Sequence, residues 1–271
     1  MYWSVFCSRT TLEAEYKQNQ DALKHNGFKV AYCPDWRGTS EGKAWYSGPL
    51  VQYYRDMVAN AGGRLIVLGF NDRPNEWKNK IHGLIIPGGR DMDPRFYGQE
   101  NTASKFDKTD AELRWNFCKA FVTECAPTMP IFGICYGCEV INCILGGDMV
   151  QSIPKRHSSK KTINVQEGSE LALATGLKSL KGQCYHHQCL GKLGVGIEPI
   201  AWDSEDKQVH AYVYKGTKEN PRDILAVLWH PEAIYEMEKI EKHDKVQLSI
   251  FTHYFKKCER YEVASRGNQK H

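Results

Sequence analysis

A chain of 271 residues, 41% hydrophobic and 25% charged, is long enough to bury the core of one large α/β domain or two smaller ones, and this composition excludes an intrinsically disordered protein. A net charge of +4, with Lys and Arg spread along the chain, gives no reason to expect a nucleic-acid partner. The chain start lacks the pattern of a signal peptide and no apolar run could span a bilayer, so we expect a cytoplasmic protein with no membrane partner and with reduced cysteines.

The first elements predict strands and helices in alternation, with one irregular segment. Trp3–Cys7 fits a strand and Leu12–Leu23 a helix with a charged outer face. Residues 27–48 are rich in Gly and Pro and are interpreted as an insertion, although Phe28–Cys33 within them fits a short strand. Pro49 then begins a helix that ends at Gly62-Gly63.

Continuous apolar strands and amphipathic helices follow in the middle of the chain. In chain order they are strand Arg64–Gly69, strand His82–Ile86, helix Asp110–Cys125, strand Met129–Ile134 and helix Cys138–Leu145. Strands that are apolar throughout are typical of a parallel sheet covered on both faces. We therefore predict a three-layer α/β fold, with a mostly parallel central sheet and helices on both faces.

The second half predicts hairpin-like strands before the α/β pattern returns. Strands are predicted around Ile163–Val165, Ile197–Trp202 and Val209–Tyr214, which would add a small antiparallel extension to the sheet. Strand Ile224–Trp229 and a helix near Val246–Cys258 complete the fold. We expect a single domain over residues 1–271, with a flexible tail at residues 259–271.

A cysteine at the end of one apolar strand is the first candidate for chemistry. Gly133-Ile-Cys135-Tyr-Gly137 has the form of a nucleophile elbow, in which small neighbours permit a strained turn that lifts the nucleophile clear of the sheet. The following helix would place its N-terminal N–H groups beside the thiol and favour the thiolate. The alternative is a buried cysteine on a strand-to-helix turn.

A base and an orienting acid are found at the end of the last apolar strand. His230 and Glu232 flank Pro231, and residues two apart in an extended chain point to the same side. A thiol nucleophile needs such a base, and the base needs an acid to orient it. The simpler alternatives are a core histidine and a surface carboxylate. Pro87-Gly88-Gly89 adds bare backbone N–H groups at a third strand end.

Together these motifs resemble the γ-glutamyl hydrolase-like peptidases of the class I glutamine amidotransferases, close to the γ-glutamyl-γ-aminobutyrate hydrolases. The resemblance covers residues 80–235 and implies the flavodoxin-like fold of that class. The segments that carry it are IPGGRDMDPRFYG (Ile86–Gly98), the pair Asp110 and Arg114, PIFGICYGCEVINCILGGDMVQSIP (Pro130–Pro154), CYHHQCL (Cys184–Leu190) and LWHPE (Leu228–Glu232).

The resemblance implies a cysteine-dependent omega peptidase that cleaves a small γ-glutamyl amide through a thioester and needs no metal or organic cofactor. It implies a catalytic triad with Cys135 as nucleophile, His230 as general base and acid, and Glu232 as the orienting carboxylate. The oxyanion hole would use the backbone N–H groups of Gly89 and Tyr136. The implied substrate contacts are Gly88, Arg90, Glu139, His187 and Gln188.

Three positions depart from the family pattern and leave the released amine open. Glu139 stands where many relatives have a glutamine that holds the glutamyl group, and an acid there would pair with a substrate amine. His210 stands where a glutamate is usual. Tyr136 replaces the arginine or leucine that is common after the nucleophile.

Other interpretations remain beside this one. Cys135 and Cys138 form a CxxC that could act in redox chemistry. Cys184, His186, His187 and Cys189 are dense enough to suggest zinc, but neighbours in an extended segment alternate between faces and do not readily converge on one ion. The chain could also be a glutaminase subunit that supplies ammonia to a separate synthase, or a non-catalytic binding relative. Whether it forms a homodimer is open.

Overall fold

A nine-stranded mixed sheet forms the centre of the protein in a computed structural model. The structure describes residues 12–33, 36–40, 43–46, 50–154, 157–236 and 242–267. The predicted strand at Trp3–Cys7 lies outside the described residues. In the first part of the chain the elements are α1 (Leu12–Leu23), β1 (Lys29–Tyr32), β2 (Trp36–Ser40), β3 (Lys43–Tyr46), α2 (Leu50–Asn60), β4 (Arg64–Val67), α3 (Pro74–Trp77), β5 (Gly83–Ile86), α4 (Lys108–Glu124), β6 (Pro130–Ile134) and α5 (Tyr136–Ile144).

The second part of the chain contributes more strands than helices. Its elements are β7 (Met149–Val150), β8 (Lys160–Val165), α6 (Glu170–Thr175), β9 (Ser179–Gln183), β10 (Cys189–Leu190), β11 (Glu198–Asp203), β12 (Val209–Gly216), β13 (Pro221–Val227) and α7 (Lys242–Gly267). Short 3-10 helices span Pro94–Tyr97 and Pro231–Glu236. Among these described helices, none has both the length and the apolar character needed to cross a membrane.

The sheet has a parallel half and an antiparallel half. Its strand order is β4-β1-β5-β6-β13-β12-β11-β8-β9. The pairs from β4 to β13 are parallel, and every pair from β13 to β9 is antiparallel. The predicted α/β fold is confirmed, and its antiparallel extension consists of four strands. Strands β1, β5 and β6 are buried along their whole length, which explains their unbroken apolar sequences.

Two hydrophobic clusters fill the two faces of the sheet. One packs α4 and α5 against the sheet through side chains such as Phe117 and Ile141. The other packs α2 and α7 through Tyr54, Phe251 and Tyr254. Neighbouring residues of a strand alternate between these clusters, as the period of two in an extended chain requires. The molecule therefore has the three layers that the alternating pattern predicted.

The interpretation of residues 27–48 as an insertion is wrong for part of that segment. Residues 29–32 form β1, a fully buried strand between β4 and β5, because the sequence Lys-Val-Ala-Tyr presents apolar side chains to both helical layers. The described part outside the main sheet is the β2/β3 hairpin, which forms its own two-stranded sheet.

The expected flexible tail is also wrong where the structure describes it. Helix α7 continues to Gly267, well beyond Cys258. It continues because Tyr261 packs on the core and the buried Glu262 forms an ion pair with Arg266 one turn later. Residues 268–271 lie outside the described residues. The prediction of a single domain stays a prediction.

Candidate active site

Cys135 sits on a strained turn between β6 and α5. Its backbone has φ 50° and ψ −107°, a conformation that residues with a side chain rarely adopt. The turn is held because the Cys135 N–H donates to the Val227 carbonyl of the neighbouring β13 at 2.9 Å. The surrounding structure thus fixes an unfavourable backbone at one residue, as a nucleophile elbow does.

The flanking glycines are required by close contacts. A Cβ on Gly133 would lie 2.7 Å from Ile141 Cδ1 and 2.8 Å from the Gly137 carbonyl oxygen. A Cβ on Gly137 would collide with the carbonyl oxygen of Ile86 on β5. Helix α5 can approach the ends of β5 and β6 only because both positions lack side chains. The G-x-C-x-G spacing therefore has a steric origin in this fold.

His230 and Glu232 follow β13, which pairs directly with β6. The two strands are parallel, so their carboxyl ends meet at the same edge of the sheet. His230 Nδ1 lies 2.7 Å from Glu232 Oε1, and the His230 backbone N–H donates to the Gln183 carbonyl at 2.8 Å. Glu232 is 1% exposed. The predicted base and its orienting acid are therefore paired beside the nucleophile.

The three side chains influence one another's protonation. Burial alone would lower the pKa of His230, but the carboxylate of Glu232 and the adjacent Cys135 hold that pKa well above its usual value. Burial raises the pKa of the Cys135 thiol, and the hydrogen bond and charge of His230 act against this rise. An imidazolium stabilised by Glu232 is thus the group that makes a thiolate accessible at Cys135.

The loop after β5 approaches both the nucleophile and the base. A Cβ on Gly88 would lie 2.7 Å from His230 Cε1 and 3.4 Å from Cys135 Cβ. The next residue, Gly89, packs against the guanidinium of Arg114 so closely that any side chain would collide with it. Tyr136 is the first residue of α5, where backbone N–H groups have no partner within the helix. Gly89 and Tyr136 stay predictions as oxyanion donors.

Arg114 connects the two predicted halves of the oxyanion hole. It extends from α4, and its Nη2 donates to the carbonyls of Pro87 and Gly88, each at 3.1 Å. Its guanidinium carbon lies 3.8 Å from the centroid of the Tyr136 ring, within the range of a cation–π contact. One side chain therefore holds the glycine loop and the first residue of α5 in fixed relation.

Gly88→Ala is expected to lower kcat for amide hydrolysis about 10- to 100-fold, because the new methyl group would displace the His230 ring from Cys135. Steady-state kinetics together with the melting temperature would separate misplacement from unfolding. Gly267→Ala is the matched control, since no atom lies near the position of its Cβ. Full activity of Gly88→Ala would contradict the close approach of loop and imidazole.

The predicted substrate contacts differ in how they are placed. His187 Nε2 lies 2.8 Å from Asp91 Oδ2, and both side chains remain partly exposed. Gln188 is buried, and its amide nitrogen donates to Ser104 Oγ and the Gln151 carbonyl at 2.8 and 3.2 Å, so it already serves the protein's own structure. Arg90 is about half exposed. It forms an ion pair of 2.9 Å with Asp107, and a surface pair of this kind exchanges readily.

Glu139 lies one turn into α5 and is nearly fully buried. Its N–H donates to the Cys135 carbonyl at 3.0 Å, and its residue is 5% exposed. Burial raises the pKa of Glu139 to about 8, the negative charge of Asp91 adds to the rise, and His230 and Arg114 oppose it. The sequence interpretation assumed an ionised acid that pairs with an amine. A pKa near 8 instead favours a protonated carboxyl at neutral pH, which is able to donate a hydrogen bond as a glutamine amide would.

This raised pKa predicts a stability that falls as pH rises. The folded protein retains the Glu139 proton up to about pH 8, whereas the unfolded chain releases it near 4.5, so folding is progressively disfavoured between those values. Glu139→Gln is expected to gain about 2 kcal/mol or more of unfolding free energy relative to wild type between about pH 5.5 and about pH 9. Denaturant titrations at both pH values measure it, with the exposed Glu124→Gln as control. Parallel curves for wild type and Glu139→Gln would contradict the raised pKa.

Three neighbours of the triad were missed or left without a role by the sequence analysis. Arg114 was part of a resemblance motif, and its spacing of four from Asp110 was the available signal. Tyr185 has its ring centroid 5.4 Å from that of His230. Tyr54, from α2, is fully buried, and its pKa is raised by burial and by the charge of Glu232. Nothing in the sequence marks these two tyrosines as neighbours of the triad.

The positions of the cysteines do not support the redox and zinc sites that sequence spacing suggested. Cys135 and Cys138 belong to hydrophobic clusters on different faces of the sheet, and Cys138 has no exposed surface. Cys184 and Cys189 are likewise divided between the two clusters. The nine cysteines among the described residues are all free thiols and all buried.

Comparison with known protein sequences agrees with this arrangement. The Peptidase C26 family profile matches residues 38–232. A protein of Mycobacterium tuberculosis named "Putative glutamine amidotransferase Rv2859c" is 33% identical over 167 residues, which are 57% of this chain and 51% of that protein. A protein of Lactococcus lactis named "Putative glutamine amidotransferase-like protein YvdE" is 26% identical over 205 residues, 70% of this chain and 84% of that protein. The chain thus spans about half the length of the mycobacterial relative.

Solved structures share the fold. A Thermoplasma acidophilum protein described as a "putative gmp synthase subunit a protein" superposes with a TM-score of 0.63 at 16% identity, covering 91% of this chain and all of that one (100%). A glutamine amido transferase from Methylobacillus flagellatus gives a TM-score of 0.54 at 14% identity, covering 89% of this chain and 95% of that one. At these identities the likeness concerns the fold alone.

Proposed function

The chain belongs to the Peptidase C26 family, and on that premise we propose that it hydrolyses small γ-glutamyl amides with Cys135 as its nucleophile. The family and the glutamine amidotransferase fold support an amide-hydrolysing enzyme of the cysteine type. The γ-glutamyl specificity is the finer part of the proposal. The observation that carries the proposal of amide hydrolysis is the grouping of Cys135, His230 and Glu232 where β6 and β13 end side by side.

In the first half-reaction the Cys135 thiolate attacks the γ-carbonyl carbon, and the carbonyl electrons move onto its oxygen. Backbone N–H groups of Gly89 and Tyr136 would stabilise that oxyanion, and Arg114 fixes both elements that carry them. As the intermediate collapses, the C–N bond breaks and the His230 imidazolium gives its proton to the leaving nitrogen. The products of this step are a free amine and a γ-glutamyl thioester on Cys135.

In the second half-reaction His230 acts as the base. It takes a proton from water, the resulting hydroxide attacks the thioester carbonyl, and the C–S bond breaks to release glutamate. The sulfur leaves as a thiolate, and the protonated His230 restores the starting ion pair. Glu232 keeps the Nδ1 proton on the imidazole throughout, so Nε2 is the nitrogen that exchanges protons with substrate and water.

The amino-acid end of a glutamyl group offers an ammonium and a carboxylate. The paired His187 and Asp91 present an imidazole and a carboxylate at one partly exposed place, and Arg90 supplies an exposed cation next to the glycine loop. Glu139, whose pKa burial raises to about 8, adds a carboxyl group that can donate a hydrogen bond close to the nucleophile. These groups support recognition of a free amino acid headgroup, which distinguishes γ-glutamyl compounds from ordinary peptides.

A panel of amides tests the proposal. Purified protein is incubated with glutamine, γ-glutamyl-aminobutyrate, a folate polyglutamate and an α-linked glutamyl dipeptide, and released glutamate is measured with Cys135→Ser as the blank. We expect release from at least one γ-linked compound and none from the α-linked dipeptide. Release from the α-linked compound alone would overturn the γ-glutamyl assignment. Turnover of glutamine only after a synthase partner is added would identify the glutaminase subunit instead.

A further inference from the structure

Three buried histidines meet beside the sheet, at a place that the hydrolytic mechanism does not use. His157, His186 and His210 are 3%, 4% and 0% exposed. His157 and His186 are joined by an isolated β-bridge, and His210 lies on β12. Their ring centroids are 4.8, 5.4 and 5.8 Å apart. One ring nitrogen from each histidine lies within 4.8 Å of the other two.

Each of these three rings has at least one nitrogen without a hydrogen-bond partner among the described residues. His157 Nε2 lies 3.1 Å from Asp206 Oδ2, and His186 Nδ1 lies 2.8 Å from the Gln188 carbonyl oxygen. The remaining nitrogens, His157 Nδ1, His186 Nε2 and both nitrogens of His210, have no hydrogen-bond partner in the part of the chain that the structure describes. Buried polar atoms are normally satisfied, so four unpartnered nitrogens in one place require an explanation.

The hydrogen-bond partners of His157 and His186 select the ring tautomer that can bind a metal ion. A carboxylate on His157 and a backbone carbonyl on His186 each accept a hydrogen bond from one ring N–H, which leaves a lone pair on the opposite nitrogen. His157 and His186 are thus held with one nitrogen lone pair available to a metal ion, and both nitrogens of His210 are available among the described residues.

We propose that His157, His186 and His210 bind a divalent transition-metal ion, and we take zinc as that ion because three imidazoles form a known set of zinc ligands. Zinc–nitrogen bonds of about 2.0–2.1 Å require the nitrogens to be roughly 3.3 Å apart, so binding would draw the three rings closer together. The carboxylates of Asp203 and Asp206 also lie within 4.8 Å of His157 and bring negative charge toward the ion. Their negative charges offset the positive charge of Lys161, whose ammonium lies 3.5 Å from Asp203.

This set of ligands differs from the one that sequence spacing suggested. Of the dense run from Cys184 to Cys189, only His186 takes part, because extended neighbours point to different sides as expected. The two cysteines enter the hydrophobic clusters, and His187 pairs with Asp91. The other two ligands come from distant segments.

The bound ion would brace one wall of the active site. His186 lies between Tyr185, whose ring approaches His230, and His187, which contacts Asp91. Fixing His186 therefore fixes both neighbours, and the ion would act through position and stability, without contact to the reacting atoms. The inference does not depend on the proposed substrate, since metal content is measured without turnover.

Metal analysis of the purified full chain tests the proposal directly. Protein stripped with a chelator and dialysed against zinc is expected to retain about one ion per chain by mass spectrometry of the metal. Its melting temperature should rise by about 5 °C or more on adding zinc, as expected for a ligand that binds only the folded state. Cobalt in place of zinc should give the visible absorption of a tetrahedral nitrogen-ligand site.

Three variants locate the ion. His210→Gln is expected to lose the ion and the thermal shift, whereas His82→Gln, which changes another buried histidine outside the cluster, keeps both. Cys135→Ser should also keep both, which separates this site from zinc held by the catalytic thiol. Loss of the ion in Cys135→Ser but not in His210→Gln would overturn the proposal. So would a stripped wild-type protein that neither retains zinc nor gains thermal stability from it.

Discussion

Cys135→Ser is expected to lower kcat for hydrolysis of a γ-glutamyl amide by at least about 10,000-fold. The turn and the triad leave room for serine, but a hydroxyl stays protonated where a thiol beside a stabilised imidazolium can ionise. Binding should change little, because the proposed contacts to the glutamyl group are made by residues other than Cys135. Single-turnover assays with the best substrate from the panel measure the loss, and calorimetric binding of the same compound measures retained affinity.

Cys138→Ala is the matched control for this variant. Cys138 lies three residues further along α5, fully buried, and it belongs to the cluster on the other face of the sheet. Its removal should cost some stability and leave kcat within about threefold of wild type, because the change opens a small cavity away from the reacting atoms. Equal losses of activity in the two variants would indicate that the cysteines act together, as a redox pair would.

Arg114→Met is expected to lower kcat about 100- to 1,000-fold with little change in KM. Methionine fills much of the same volume but donates no hydrogen bonds to the carbonyls of Pro87 and Gly88 and offers no charge to the Tyr136 ring. The glycine loop and the start of α5 would then lose their fixed relation. Because the oxyanion forms only during reaction, the loss should fall on kcat, which steady-state kinetics resolves from KM.

Arg222→Met provides a comparison of the same chemical kind. Arg222 is also buried and also donates to two backbone carbonyls, those of Thr123 and Cys125, far from the triad. Both variants should lose stability, but only Arg114→Met should lose kcat to this extent. Arg114→Lys should recover part of the activity, since it restores the cation beside Tyr136. A normal kcat in Arg114→Met would show that the loop keeps its shape without the guanidinium.

The parallel half of the sheet was predictable because local pattern and global environment agree there. Strands β5 and β6 are buried on both faces, and burial on both faces requires the apolar residues that their sequences show at every position. The G-x-C-x-G motif was readable for a similar reason: Gly133 and Gly137 are dictated by contacts within or next to one strand-turn-helix unit. The His230 and Glu232 pair is likewise local in sequence.

Features that depend on distant segments escaped prediction. The histidine cluster joins His157, His186 and His210 from three separate segments, and no spacing rule connects them. The raised pKa of Glu139 depends on its burial and on Asp91, neither of which the motif around it reveals. Helix α7 was predicted too short because its final turns are held by Tyr261 and by an ion pair, whereas the hydrophobic period alone ends near Cys258.

The pairing of β6 with β13 has a kinetic consequence. The nucleophile and the base lie far apart in the chain, and the pairing of β6 with β13 brings them together. Closing so long a loop is slow, because the entropy of the intervening segment must be lost before the contact gains any energy. After dilution from denaturant, helical signal should therefore return well before hydrolytic activity does. Recovered turnover in this protein therefore reports the completion of this long-range strand pairing.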